Sequence, residues 1–141
     1  MPKIFRTMRK DADDMPKIAN GANCLGVRPS DVDLDANGKV ELNRKGMSVS
    51  PSLKALPHFL TPKRLKGSYP KATGSNSLFC FFMGDGPFIE TKVDEGLALV
   101  LDSPSHGLVV PDRPEVATLT IFEANLAATR HSWKNAEGVE A

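Results

Sequence analysis

Read for polarity, the chain changes character at Pro114. Before it, apolar positions come in short runs broken by prolines and glycines, a texture of strands and turns rather than long helices. Residues 3–8 (K-I-F-R-T-M) put Ile4, Arg6 and Met8 in one register and Phe5 and Thr7 in the other, the period of a strand. Residues 11–19 open on acidic positions and predict a short helix. Residues 25–27 read as an extended piece ahead of Arg28-Pro29. Segments 31–34 and 39–42 flank Asn37-Gly38, a strong hairpin signal. Residues 46–51 (G-M-S-V-S-P) predict another short strand, set off by glycine and proline. Residues 78–83 (L-F-C-F-F-M) are continuously apolar and 96–102 (G-L-A-L-V-L-D) look the same, as in strands buried on both faces; 106–110 follow as a shorter strand.

Beyond Pro114, Thr120-Ile121-Phe122-Glu123 has the form of a capping box, and Phe122, Leu126, Thr129 and Trp133 share one helical stripe. Gly138 is placed to end that helix. The order predicts one α+β domain over 1–141, with mostly antiparallel, split or sandwich-like sheets and a C-terminal helix. A single long helix cannot supply a βαβ alternation.

Composition narrows the function classes. With 141 residues there is room for one domain and an ordinary core. Eighteen Lys and Arg against 17 Asp and Glu leave a net charge of +1, so no dominant nucleic-acid or anionic-membrane surface is indicated. Cys24 and Cys80 lack zinc-ligand spacing and read as two reduced, buried thiols. The apolar stretches are too short to span a membrane, and Met1-Pro2-Lys3-Ile4-Phe5-Arg6 lacks the charged-then-apolar order of a signal peptide. The expected setting is the cytoplasm, reached directly or through export without a cleaved leader.

Nucleotide-loop and metal motifs of the standard kinds are missing from the sequence. Gly84-Asp85-Gly86 is short for a phosphate cradle and reads as a tight turn. Arg6, flanked by Ile4, Phe5 and Met8, puts a permanent cation in or near the core. Unless it is simply exposed, it needs a fixed anionic partner, either one of Asp11, Asp13 and Asp14 or a ligand phosphate gripped by its planar fork. Ser48 and Ser50 alternate with apolar residues and share one strand face, at an edge or over a polar groove. His106 lies between Ser105 and Gly107 at a strand entry, a position able to open onto a cleft, whereas His131 sits near a helix end where a cation is ordinary. The proline-rich stretch 51–77 carries Lys54, Lys63, Arg64, Lys66 and Lys71, as a solvated excursion or a substrate-facing loop.

Four elements, in order, resemble the ADP-ribosyltransferase-like toxins exported by bacterial type VI secretion systems. They are Phe5-Arg6 in the first strand, the G-M-S-V at 46–49, the S-H-G-L-V-V-P at 105–111, and the terminal stretch with Pro114, Phe122, Leu126, Arg130 and Trp133. The resemblance implies a compact NAD-dependent toxin-like fold, two small sheets around a cleft that takes NAD as substrate. It implies Arg6 as the group that binds a phosphate or orients the ribose, Ser48 (with Ser50) beside the nicotinamide pocket, and His106 at the late strand. It also implies an antitoxin or immunity protein as partner. Cleaving the nicotinamide N-glycosidic bond passes through an oxocarbenium-like transition state, which a carboxylate stabilises. The late [QE]-x-E of better-known ADP-ribosyltransferases has no match here, and Glu90 is the candidate carboxylate. Two other readings stand beside this one. The first is a non-catalytic binding module or toxin of the same fold; the second is a nuclease or phosphotransferase using His106 with Arg6 and Arg64.

Overall fold

The computed structural model describes residues 1–21, 23–28, 31–40 and 46–137. Two antiparallel sheets and one helix form the frame, an α+β architecture as the polarity pattern predicts. Strand β1 (Ile4–Met8) pairs with β3 (Phe79–Met83), and β3 pairs with β7 (Lys134–Asn135), giving a three-stranded sheet. Strand β2 (Met47–Val49), β6 (His106–Pro111), β5 (Leu97–Ser103) and β4 (Thr91–Asp94) form the second sheet in that spatial order. Helix α1 (Leu119–Ala128) follows both central hairpin strands.

Alternation decides what each face of the smaller sheet covers. Ile4 and Met8 from β1 and Phe81 and Met83 from β3 enter the main core, together with Leu97 and Leu99 of β5 and Phe122, Leu126 and Trp133. The opposite face carries Phe5, Cys80 and Phe82, which pack against Leu53, Leu56, Leu65 and Tyr69 from the 51–77 excursion. That excursion is therefore a folded lobe, and its apolar residues explain why β3 is covered on both faces. Arg64 pins it: its guanidinium pairs with Glu137 at 2.7 Å, donates to the carbonyls of Asn76 and Leu78, and lies 4.5 Å over the Phe79 ring.

Several sequence-based expectations are corrected. Residues 11–19 form no helix. Asp13 takes the Met15 N–H on its side chain, Asp14 adopts φ 65°, and Lys10 bridges to Pro16, so the carboxylates compete with helical hydrogen bonding and win. Helix α1 starts two residues earlier than the T-I-F-E motif suggests, because Thr118 is its N-cap and accepts from Ile121 N–H at 3.2 Å. The helix ends at Ala128 rather than near Gly138: a 3-10 turn over Arg130–Ser132 and strand β7 follow, so Thr129 and Trp133 reach the core from beyond the helix, the indole N–H of Trp133 donating to Thr129 Oγ1 at 2.9 Å. Strand β5 is buried on one face only, Leu97 and Leu99 inward and Ala98 and Val100 half-exposed. The Asn37-Gly38 hairpin is reduced to one Leu34–Val40 bridge, with Gly38 at φ 76°; the rest of its second strand, like Gly138, lies outside the described residues. Gly84-Asp85-Gly86 holds the amino-terminal segment, the N–H groups of Asp85 and Gly86 both donating to the Met1 carbonyl. Cys24 and Cys80 are free, buried thiols. No helix among the described residues is long and apolar enough to cross a membrane.

Candidate functional site

Among the described residues, one backbone bridge joins the edges of the two sheets. Phe5 N–H donates to the Ser50 carbonyl and Ser50 N–H to the Phe5 carbonyl, each at 2.8 Å. Beyond that rung β1 and β2 part, and a cavity of about 600 Å³ opens there. Arg6, Ser48, Ser50 and His106 all line it. The β2–β6 register explains the last two: Val49 faces Gly107, so the next positions along each strand, Ser50 and His106, come to the same end of the sheet.

Arg6 is 7% exposed and shares its strand face with Ile4 and Met8. Its Nε and Nη2 donate to the Cys24 carbonyl at 3.2 and 3.0 Å, and Nη1 to the Ser48 carbonyl at 2.8 Å. Asp11 and Asp13 pair instead with Arg130, and Asp14 with Lys10. Burial lowers the Arg6 guanidinium to about 10, with Asp31 pulling the other way, so it remains a cation at neutral pH. The group thus ties the loop at Cys24 to β2 and sets the cavity wall while presenting positive charge to it.

His106 is anchored by a residue that the sequence did not single out. The β5–β6 register shifts between Leu101 and Ser103, and the bulge places Asp102 against the ring, with Nδ1 at 2.7 and 2.9 Å from its two oxygens. A carboxylate on Nδ1 fixes the proton there and leaves Nε2 for a ligand. The carboxylate among the described lining residues is Asp31, not Glu90. Glu90 accepts the Leu101 N–H at 2.8 Å and is not among the residues that line the cavity. Desolvation pushes the Asp31 carboxyl up, but hydrogen bonds from the Arg28 side chain and backbone outweigh it, and the net shift is downward. Asp31 is therefore ionised at neutral pH. Phe59, 68% exposed, lines the same cavity and offers a ring face at its rim. Arg64 is committed to Glu137 and is not among the lining residues, so it does not join Arg6 and His106 around a shared phosphate.

Asp102 is legible only as a position four residues from His106 across a two-residue turn, a signal that needs the hairpin register to be read. Asp31 and Phe59 lie on turns outside the strands, where sequence spacing says little about proximity. No family model, curated protein or solved structure matches the chain.

Proposed function

We propose that the chain is a cytoplasm-acting toxin with an NAD-dependent ADP-ribosyltransferase fold, breaking the bond between ribose and nicotinamide. One observation carries the reading: Arg6, Ser48, Ser50 and His106, drawn from both sheets, line one cavity at the point where those sheets part. Its volume of about 600 Å³ suits a dinucleotide-sized ligand. In the reaction the C1′–N bond breaks, its electron pair leaves with nicotinamide, and the ribose carbon is captured by an acceptor nucleophile that sheds a proton. Asp31, ionised at the wall, supports the positive charge that develops on the ribose. Ser48 and the outward nitrogen of His106 hold ribose or amide groups, and the cationic Arg6 favours the diphosphate. Phe59 supplies a face for an aromatic ring. The resemblance adds an antitoxin or immunity protein as the neutralising partner.

Growth of bacteria expressing the chain, nicotinamide release in vitro and thermal unfolding with NAD test this together. NAD should raise the melting temperature, and Ser48→Ala and His106→Ala should abolish growth arrest and nicotinamide release while the folded protein persists. Growth arrest that survives both substitutions would establish the occupancy-only reading. RNA or DNA breakdown without NAD, lost in His106→Ala, would establish the phosphotransfer reading. Unimpaired growth with the unaltered chain would end the toxin assignment.

A further inference from the structure

The 51–77 lobe holds a second cavity, of about 410 Å³, on the other side of the segment that walls the first. Pro57, Phe59 and Leu60 face the first cavity, Lys54, His58 and Thr61 face the second, and Leu56 lines both. The second cavity joins two chemistries. Leu53 and Leu56, nearly fully buried, give it an apolar floor, and Tyr69 and Pro70 add ring side chains to its lining. Exposed Lys54, Lys71 and His58 form the rim, and Ser68 adds a hydroxyl. No carboxylate is among the described residues lining it.

The charge pattern of the chain points the same way. Residues 51–77 contain five Lys and Arg and no Asp or Glu, leaving 13 basic against 17 acidic residues for the remainder. The near-neutral total hides a cationic lobe on an anionic body. Arg64 of that set is held by Glu137, whereas Lys54 and Lys71 stand at the cavity mouth.

We infer that this second cavity is a binding site for a phosphorylated aromatic of mononucleotide size, its ring on the Leu53–Leu56–Tyr69 surface and its phosphate between Lys54 and Lys71. The volume lies within the range of small-ligand sites, and an apolar, aromatic-containing lining beside two exposed lysines is complementary to a ring bearing an anion. The inference does not depend on what occupies the first cavity.

AMP titrated into the intact protein, followed by backbone amide shifts, tests it. Saturable shifts should appear at Leu53, His58, Ser68 and Lys71. The doubly substituted Lys54→Ala/Lys71→Ala protein, altered only at exposed side chains, should weaken that binding at least tenfold while keeping its unfolding midpoint. Adenosine should bind at least tenfold more weakly than AMP, and so should inorganic phosphate. Shifts confined to residues around Arg6, Ser48 and His106, or no saturable shift anywhere, would overturn the site. Equal binding of phosphate and AMP would overturn the aromatic half of the assignment. Because the readout is local to the lobe, failure of NAD to bind the first cavity leaves this result interpretable.

Discussion

Arg6 illustrates how a single side chain constrains the tests that can be made of a site. Its fork joins the Cys24 and Ser48 carbonyls, so removing it leaves one buried and one part-buried acceptor without that donor. Each such loss costs about 1–3 kcal/mol. Arg6→Met should therefore lower the urea midpoint markedly, and any change of activity in that variant reports on the fold as much as on chemistry. Asp102 is the cleaner probe. The His106–Asp102 pair is more than a third exposed on both sides, and Asp102→Asn should leave the melting temperature nearly unchanged. Its effect should fall on turnover, slowing nicotinamide release by about tenfold or more, because the imidazole loses the charge that fixes its tautomer. An unchanged rate would remove His106 from the chemistry. Arg6, Ser48 and His106 were legible in the sequence because each breaks an apolar strand with a reactive or charged group. Asp31, Asp102 and Phe59 were not, since loop closure and a bulge, rather than spacing, bring them to the cavity.

Strands with apolar faces announce themselves, and those without do not. β1, β3, β5 and β6 follow from Ile4–Met8, Phe79–Met83, Leu97–Ser103 and His106–Pro111, where core-facing residues recur at strand period. β4 escaped because it lies at a sheet edge with Val93 its one buried residue, and β7 because 134–135 fall inside the stretch read as helix up to Gly138. The acidic stretch at 11–14 resembled a helix start only because its true partner, Arg130, lies more than a hundred residues away in sequence. β2 is short and depends on close approach: a Cβ on Gly46 would lie 2.3 Å from the Val109 carbonyl oxygen. Gly46→Ala should push β2 off β6 at a cost of about 1–3 kcal/mol. Chemical denaturation measures that loss, and amide exchange should show it concentrated at Met47–Val49 and the cavity. Uniform loss across both sheets would show that β2 is not separately held.

For the molecule as a whole, the amino-terminal loop and the end of the helix are tied by charge. Arg130 reaches Asp13 at 2.8 Å and Asp11 at 3.1 Å, and its Nε donates to the Pro16 carbonyl. The hydrogen bond from Arg130 holds the Asp13 carboxyl below its ordinary value. A depressed carboxylate adds stability above its unfolded value and loses it as pH falls through the folded one. Stability measured between neutral pH and about pH 3 should thus decline on the acid side, and Arg130→Ala should flatten that decline. An identical acid limb in the variant would assign it to other carboxylates. Cys80 behaves in the opposite sense: burial, then Glu137, raises its thiol to about 12, so it stays protonated through the alkaline range where an unfolded thiol ionises. The two apolar cores lie on either side of β1 and β3.

Among the described residues, the rung between Phe5 and Ser50 is the backbone link between the two sheets, and it does not act alone. Ile4, Met8 and Phe81 of one sheet share an apolar core with Met47, Val49 and Leu99 of the other, and the Arg6 side chain braces the gap from Cys24 to Ser48. The crevice is in this sense a preformed notch, its mouth fixed by peptide, cation and packing together.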